Sequence, residues 1–423
     1  MKYNITLKPV TPYFWGMEQV TELGNKRNYY LESALFPQQT AILGMLRYQA
    51  LAQQGFLSIP DSAKTDARKL IGDSSFHSNN VDGYGAIRQI SALQLQKENN
   101  LFLFRSRDFF CFNEDKAYPV RKAWLEMAGV GPGEYVQALV PKNHFAHLIY
   151  RKEAISPTFI PESWIEKNEF REFLICENHY PAETEIDSGS VPSKYVVAVD
   201  KVIQRTGRVG IEKAWEGNTK SNAYYKQYFR ELQETVVIAD KTKPVINKKM
   251  MLDADWKFSL KMEWDETKGF EFDSTERYIT MGGEQSVFLL SVEPIIDDEP
   301  IDALPDIPDL EKNEVYKLLF TSDTFISDEE RFYLLPVLVN GSTVRFRNFV
   351  AKVDTTKQYY VRGERKQGFS QSTPSYLIKR GSLLYFADKS SISDAIKLIN
   401  QEKSFKIIGY NHYKIETEKY HQL

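Results

Sequence analysis

The feature that most constrains the fold is an acidic, proline-rich segment, EPIIDDEPIDALPDIPDLEKNE, which runs from Glu293 to Glu314. Four prolines interrupt the segment and it shows no helical period, so it predicts an extended linker. A chain of 423 residues is too long for one small core. The linker therefore divides the chain into a predicted N-terminal domain, residues 1–292, and a predicted C-terminal domain, residues 315–423.

The charge of this segment leaves two interpretations open. The whole chain has a net charge of −3, and the residues outside the segment are positive on balance. The segment is either a solvated linker or an acidic strip that docks a basic partner. A net charge of −3 is also unusual for a free-standing nucleic-acid binder, which is normally basic.

Aromatic residues make up 13% of the chain, and many lie in short strand-like runs, which favours an α+β protein rich in sheet. MKYNITLKPV alternates with period two and predicts a strand, and a helix follows from about Gln38 to Gln53. KYVVAVDKVIQRTGRVGIEKAW predicts two strands joined by a basic turn at QRTGRVG. Further strands are predicted at IRQISALQLQ, NLFLFRSRDFFCF, KFSLKMEW, GFEFD and QSVFLLSVEP, with MGGEQ as a tight turn before the last.

Beyond the linker the element order is plainer. SISDAIKLINQEK predicts a helix with Ser391 or Ser393 as its N-cap, and FKIIGYNHYKIE predicts a final strand that breaks at Gly409. Apart from a doubtful first helix, the order is β-α-β-β-α-β, that of the ferredoxin-like split βαβ. The N-terminal half opens similarly. We therefore expect two related ferredoxin-like (RRM-like) domains with insertions, one of them over residues 113–190.

Several kinds of chemistry have no support in the sequence. Cys111 and Cys176 lie in apolar runs, which argues against a disulfide framework and against a reactive thiol. His144 and His147 are three positions apart, but no third ligand pattern accompanies them, so two ordinary histidines are favoured over zinc. There is no phosphate-loop motif and no nucleophile-elbow motif, and we expect no metal, cofactor or catalytic residue.

The sequence also lacks the pattern of a membrane protein. The first ten residues, MKYNITLKPV, have no apolar core of the kind that a signal peptide requires, and no run of 18 apolar residues occurs. We expect a soluble, cytoplasmic protein with no membrane partner.

Basic residues beside glycines form candidate anion sites. Arg205 and Arg208 flank Gly207, and Lys379 and Arg380 precede a glycine; guanidinium groups and free backbone amides suit phosphates. The alternative is a solvated strand edge that prevents aggregation. Near the end of the chain, GYNH offers a tyrosine and a histidine that could stack on unpaired bases, and an asparagine that could read base edges. There the alternative is a strand bulge.

Five motifs in order carry a resemblance: FPQQTAILGMLRY, RVGIEKAWEGNTKSNAYY, MGGEQS, KRGSLLYF and GYN. Together they resemble the repeat-associated mysterious proteins (RAMPs) of CRISPR systems, in the order found in the third subunit of type III-B (Cmr) effector complexes. The resemblance implies two fused ferredoxin-like domains and a non-catalytic role: the subunit grips the 5′ repeat-derived tag of the guide RNA. The implied partners are that RNA, the large polymerase-type subunit and the backbone subunits. Where the family often has a second proline, this chain has Gln38 and Gln39.

The motifs and the basic turns together define the predicted RNA-binding residues. Ile211, Glu284 and Ser382 match the family motifs as well. The predicted RNA-binding residues are Gly44, Arg47, Arg205, Arg208, Gly210, Gly282, Gly283, Lys379, Arg380, Gly381, Gly409, Tyr410 and Asn411.

Two alternative functions stay open. Some relatives in the superfamily are metal-independent endoribonucleases that trim guide RNA, and their chemistry needs an acid and a base. His77 and His412 are the candidates here, and neither lies beside the predicted first helix in the sequence. The other alternative is the equivalent subunit of a type III-A complex.

Overall fold

The computed structural model describes part of the chain, and every structural statement below concerns that part. The described residues are 1–16, 29–57, 64–72, 76, 84–105, 109–113, 116–119, 173–177, 196–213, 219–239, 247–252, 255–282, 284–296, 300–301, 303, 305–312, 314–336, 338–351, 359–361, 364–366 and 369–419.

The fold is α+β, as predicted, and its sheets are mostly antiparallel. Among the described residues the helices are α1 Gln39–Gln53, α2 Lys64–Ile71, α3 Val199–Val202, α4 Glu329–Phe332, α5 Lys389–Gln401 and α6 Lys403–Ile407. The strands are β1 Lys2–Pro9, β2 Tyr29–Glu32, β3 Ile87–Ile90, β4 Gln94–Lys97, β5 Asn100–Arg105, β6 Phe109–Asn113, β7 Lys116–Pro119, β8 Phe173–Cys176, β9 Val196–Ala198, β10 Ile203–Lys213, β11 Thr219–Leu232, β12 Glu234–Ala239, β13 Asn247–Leu252, β14 Trp256–Trp264, β15 Arg277–Met281, β16 Ser286–Ile295, β17 Glu314–Phe320, β18 Leu338–Asn340, β19 Thr343–Phe346, β20 Phe349–Ala351, β21 Tyr359–Val361, β22 Glu364–Lys366, β23 Phe369–Gln371, β24 Ser375–Ile378, β25 Leu383–Phe386 and β26 Tyr413–Lys419.

The N-terminal half is built on a nine-stranded antiparallel sheet in the order β15-β16-β1-β14-β4-β5-β8-β9, with β3 also pairing with β14. The first strand is central because its inward residues Tyr3, Ile5 and Leu7 are apolar and buried. Helix α1 buries Ile42, Leu43 and other apolar side chains in the same core, as its apolar spacing predicts.

A separate three-stranded sheet in the order β10-β11-β2 lies beside the large sheet. Strands β10 and β11 form a long antiparallel pair, and β2 joins β11 in parallel. Strand β2, which precedes α1 in the sequence, therefore lies next to β11, and Glu32 is opposite Tyr228.

The C-terminal half contains a four-stranded antiparallel sheet in the order β18-β25-β17-β26. Helix α5 packs on this sheet through Ile392, Ala395 and Ile399, which are buried with the sheet residues Leu318 and Leu384. Helix α4, between the first two strands, has only four residues, in agreement with the doubtful helix expected there.

The two halves share one apolar core. Phe346, Leu377, Phe405 and Tyr410, all from the C-terminal half, belong to the same buried cluster as the large N-terminal sheet. The linker between the halves is also partly docked, because the hydroxyl of Tyr316 donates a hydrogen bond of 2.8 Å to the carbonyl of Pro308. The division into domains at 293–314 stays a prediction, but the two halves pack closely.

Part of the acidic segment belongs to a strand, contrary to the prediction of a linker throughout. Strand β16 continues to Ile295, and Pro294 lies opposite Tyr3. Strand β15 pairs only with the first half of β16, so this end of β16 is open on one side. A proline is tolerated there because no neighbouring carbonyl requires its missing N–H. Further along, Lys389 forms an ion pair of 2.6 Å with Asp309, so one acidic side chain is used within the chain.

The predicted basic turn at QRTGRVG is wrong, because these residues lie within the continuous strand β10. Gly207 and Gly210 lie opposite Tyr228 and Tyr225 of β11. Glycine within a strand often accommodates the close approach of a large neighbour rather than a turn. The segment that follows, SNAYYKQYFREL, is extended, one of the two options left open.

Two other strand predictions are wrong. Residues 405–407 of FKII are helical in α6, and Phe405 and the following Ile408 both lie in the shared core. GFEFD forms no strand; Phe272 is buried against Trp264 at 5.0 Å between ring centroids, so its aromatic side chains fill the core without joining a ladder.

The predicted N-cap of the last long helix is also wrong. Asp388 caps α5 and accepts hydrogen bonds of 2.8 Å from the backbone N–H and from the hydroxyl of Ser391. Aspartate is as favourable an N-cap as serine, and the helix begins at Lys389, three residues earlier than a cap at Ser391 would allow.

Candidate nucleic-acid interface

A cleft of about 530 Å³ lies between the two halves. One wall is the segment from Glu32 to Gln38, which leads into α1, and the opposite wall comes from β19 and the residues around Lys379. Four cationic side chains line the cleft, and two carboxylates, Glu32 and Asp323, accompany them. The cations are Arg230, Arg345, Lys379 and Arg380. The cleft is therefore positively charged on balance, which suits an anionic ligand.

Arg380 is the most enclosed of these cations, with 4% of its side chain exposed. Its Nη1 donates a hydrogen bond of 2.8 Å to the carbonyl of Leu93, and its guanidinium lies 4.1 Å over the ring of Phe36. Its backbone N–H donates a hydrogen bond of 2.9 Å to Asp323. Its Nη2 is buried and has no hydrogen-bond partner among the described residues. Arg380 is therefore a fixed part of the cleft wall, and its Nε also lies 3.6 Å from the carboxylate of Asp323.

The predicted KRG turn lies at this cleft. Gly381 has φ = +79° and donates its N–H to the carbonyl of Phe320 at 2.7 Å, so the left-handed turn requires glycine there. The turn directs Lys379 toward the cleft wall, where its Nζ lies 5.4 Å from the ring centroid of Phe104. Ser382 does not line the cleft; its hydroxyl accepts a hydrogen bond of 3.3 Å from the N–H of Ser342.

Arg205 and Arg208 lie on strand β10, three positions apart, and each covers an aromatic ring. The guanidinium of Arg205 lies 3.5 Å from the ring centroid of Tyr228, and that of Arg208 lies 4.3 Å from the ring centroid of Phe229. Since neighbouring side chains on a strand alternate, the two arginines are on opposite faces of the ribbon. Arg205 shares the carboxylate of Glu32 with Arg230, at 3.5 Å and 2.6 Å, which places Arg205 beside the cleft.

Gly409, Tyr410 and Asn411 are buried at the junction of the two halves. The hydroxyl of Tyr410 accepts a hydrogen bond of 3.1 Å from the backbone N–H of Gln39, and burial raises the pKa of this hydroxyl well above its usual range. Asn411 has φ = +62°, and its amide accepts from the N–H of Phe325 and donates to the carbonyl of the same residue. The ring of Tyr410 lines the cleft floor but faces protein on most sides.

Gly44 is exposed on α1, and a Cβ built there meets no described atom within 4 Å. Within the described residues, close packing does not explain this mid-helix glycine. Arg47 instead points inward, because its Nη2 donates to the carbonyl of Gly72 at 3.4 Å and its guanidinium lies 5.6 Å over Tyr84. Burial lowers the pKa of Arg47. The structure therefore does not place these two residues on one free face.

The MGGEQ turn joins β15 to β16, as predicted. Gly282 has φ = +80°, and a Cβ there would clash with the carbonyl of Phe14. The carboxylate of Glu284 accepts a hydrogen bond of 3.1 Å from Gln227. Gly283 lies outside the described residues. For Gly210 and Ile211 the structure describes only the backbone, which belongs to strand β10.

The cleft residues that sequence reasoning did not assign to the site include Glu32, Phe36, Arg230 and Asp323. Each reaches the cleft through a pairing or packing contact distant in sequence, and of the four only Phe36 lies in one of the quoted motifs. Arg345, on strand β19, also reaches the cleft only through the fold.

The expectations that the protein has no metal site and no membrane-spanning segment can be examined only for the described residues. No group of three or more His, Cys, Asp or Glu that could hold a metal ion occurs within the described ranges. His77, His144 and His147 lie outside them, as do Cys111's side chain and most of residues 113–190. In the part of the chain that the structure describes, no helix is long and apolar enough to cross a membrane.

The fold and the cleft together define a two-part α+β protein whose halves join around a basic, partly aromatic cleft. The model of the CRISPR-associated protein family Cas_Cmr3 matches residues 6–416, nearly the whole chain, and the chain belongs to that family. The chain is therefore a Cmr3-like subunit of a type III-B CRISPR effector complex, which confirms the resemblance identified in the sequence.

Solved structures with similar chains are cryo-EM structures of a Type III-B Cmr-beta complex bound to cognate target RNA. One of them, with AMPPnP, has 12% sequence identity and a TM-score of 0.44, and another has 14% identity and a TM-score of 0.44. Each comparison covers 98% of this chain and 99% of the other chain. A search of curated proteins finds no match.

Proposed function

We propose that this subunit holds the 5′ repeat-derived tag of the guide RNA in the cleft between its two halves, without catalysing a reaction. The observation that carries the proposal is the cationic lining of the cleft, in which Arg230, Arg345, Lys379 and Arg380 outnumber the two carboxylates. Phosphate groups suit this lining, because arginine and lysine side chains attract phosphates and position a nucleic acid.

The shape of the cleft supports RNA that is single-stranded. Phe36, Phe104 and Leu377 give the cleft apolar surface beside its cations. Proteins recognise unpaired RNA through this combination, with bases against apolar or planar groups and phosphates against cations. Membership of the Cas_Cmr3 family supports the same function, since the resemblance assigns tag binding to this subunit.

We propose further that both halves derive from ferredoxin-like domains. The C-terminal sheet supports this proposal, because its antiparallel order β18-β25-β17-β26 is that of strands 2-3-1-4 in a β-α-β-β-α-β unit. The N-terminal half keeps a central first strand followed by α1, but extra strands extend its sheet on one side.

The predicted RNA-binding residues have different roles in this proposal. Arg205 and Lys379 contact RNA directly, and Arg380 forms part of the cleft wall. Arg47, which points inward, and Arg208, which is on the other face of the ribbon, do not line the cleft. The glycines, with Tyr410 and Asn411, hold the backbone that shapes the cleft. We propose that Gly44, exposed and uncrowded on α1, is a site of close approach for a partner, the large polymerase-type subunit or a backbone subunit.

The first experiment is co-expression of the chain with its partner subunits, purification of the complex and sequencing of the bound RNA. We expect short RNAs that share one 5′ repeat-derived segment. Recovery of bulk host RNA alone would contradict tag binding.

A charge reversal tests the cleft itself. Arg345→Glu with Lys379→Glu should reduce the tagged RNA recovered from the complex by at least about ten-fold, because two phosphate contacts become repulsive. The matched control is Lys397→Glu on α5, whose partner Asp394 lies on the exposed surface away from the cleft. Equal recovery from the cleft variant and the control would refute the assignment of the cleft.

Incubation of the complex with repeat RNA should give no cleavage, and cleavage that depends on His412 would favour the endoribonuclease alternative.

A further inference from the structure

The geometry of Arg205 and Tyr228 points to a stacking platform for one unpaired base of the RNA. This inference rests on the proposed function and goes beyond it, because it assigns Arg205 to a base and not to a phosphate. The platform consists of the Tyr228 ring and the Arg205 guanidinium, whose centre lies 3.5 Å from the ring centroid. A separation that short places the planar cation in direct contact with the ring.

The strand register explains how the platform forms. Gly207 lies opposite Tyr228 on the neighbouring strand, so no side chain from that position covers the ring. Arg205 lies two residues earlier on the same face of β10 and extends over the space that glycine leaves. Gly207, which belongs to the predicted turn, therefore has a different role, because its lack of a side chain lets Arg205 pack on the ring of Tyr228.

Glu32 fixes the plane of the guanidinium. Its Oε1 lies 3.5 Å from Nε of Arg205 and 2.6 Å from Nη2 of Arg230. Arg230 is in turn held by the carbonyl of Ser33, to which its Nε donates at 3.3 Å. Glu32, which Arg205 shares with Arg230, thus partly offsets the charge of Arg205 and contacts it at the Nε edge. This contact weakens the attraction of Arg205 for phosphate and preorganises its guanidinium as a flat surface.

Arg205 nevertheless stays accessible, with 48% of its side chain exposed. A planar guanidinium has two faces, and the tyrosine covers one of them. Arginine planes stack on unpaired bases in RNA recognition, and an underlying aromatic ring strengthens the surface. Because Glu32 and Arg230 also line the cleft, a base on this platform lies at the cleft edge, within reach of a strand whose phosphates follow Arg345 and Arg380.

The experiment compares Arg205→Lys with the parent complex in binding to tagged RNA over a range of salt concentrations. Lysine keeps the charge but lacks the plane. We expect about ten-fold weaker binding with an unchanged salt dependence, because no phosphate contact is lost. In a series of tagged RNAs with one abasic nucleotide each, parent and variant should bind equally at one position, where the stacked base is missing.

Two controls separate stacking from other effects. Arg88→Lys tests a matched arginine, 46% exposed and paired with Asp265, and it should leave binding unchanged. Tyr228→Phe keeps the ring and should bind like the parent, whereas Tyr228→Leu removes the ring and should lose affinity as Arg205→Lys does.

The outcomes distinguish this inference from the proposed function. Parent-like binding by Arg205→Lys, together with a salt slope that falls by about 0.7 in Arg205→Ala, would identify a phosphate contact and overturn the platform. Parent-like binding by both variants would also overturn it and leave tag binding intact. A parent complex that binds tagged and untagged RNA equally would refute the proposed function itself.

Discussion

Gly409 joins the two halves of the protein, and its replacement by alanine gives the sharpest test of the fold. The residue has φ = +94°, and a Cβ there would lie 2.6 Å from Nε2 of Gln39 and 2.9 Å from the carbonyl carbon of Ser91. The same Nε2 donates a hydrogen bond of 3.0 Å to the carbonyl of Gly409. The new methyl group therefore meets backbone and side chain at once.

Three costs determine the magnitude of the effect. A left-handed conformation costs a residue with a Cβ about 1–2 kcal/mol. Overpacking against the Ser91 backbone costs about 1–3 kcal/mol. Displacement of Gln39 weakens a hydrogen bond worth about 1 kcal/mol. Together these effects predict that Gly409→Ala lowers the free energy of unfolding by about 3–6 kcal/mol.

The assay is urea unfolding followed by tryptophan fluorescence, which reports on the buried Trp15, Trp256 and Trp264 of the N-terminal half. The matched control is Gly44→Ala, at a helical position with open space around the new Cβ, and it should raise the free energy of unfolding by about 1 kcal/mol. A change below about 0.5 kcal/mol in Gly409→Ala would show that the junction does not constrain the glycine as described.

Two further predictions concern the C-terminal half. Asp388→Ala removes the N-cap of α5 and should lower the free energy of unfolding by about 1 kcal/mol, measured by urea unfolding, with Asp388→Asn close to the parent. Asp309→Asn breaks the ion pair with Lys389, which holds the pKa of Asp309 below its ordinary value of 3.8. The pair stabilises the folded state above pH 3.8 and loses this effect as pH falls through the lowered pKa. The difference between parent and Asp309→Asn should therefore shrink as unfolding is measured at successively lower pH below 3.8; a difference that is constant with pH would argue against a role for the ion pair.

Local patterns were sufficient for much of the secondary structure. The alternation in MKYNITLKPV predicted β1, and the apolar spacing after Pro37 predicted α1 to within one residue at its start. These features depend on which side chains can share a buried face, and that information lies within a few neighbouring positions. The ordered motifs identified the family for the same reason, because each is a local run.

Predictions failed where a distant contact outweighed a local preference. FKII has strand-like residues, yet the shared core requires Phe405 to pack against Phe325 at 4.4 Å between ring centroids, and the helix α6 achieves this. QRTGRVG has turn-like residues, yet the ladder with β11 extends through it. In each case burial or pairing with a segment far along the chain decides the conformation, because local propensity is the weaker effect.

The sequence by itself determined the family, the α+β class, the first strand and helix, and the basic residues at which RNA contacts are expected. Only the tertiary structure showed that Arg380 is enclosed against Phe36 and Leu93, and that Tyr410 supports the start of α1. Only it brought Glu32 between Arg205 and Arg230. The physical reason is that charge and residue type belong to single positions, whereas burial and mutual geometry arise when segments hundreds of residues apart pack together.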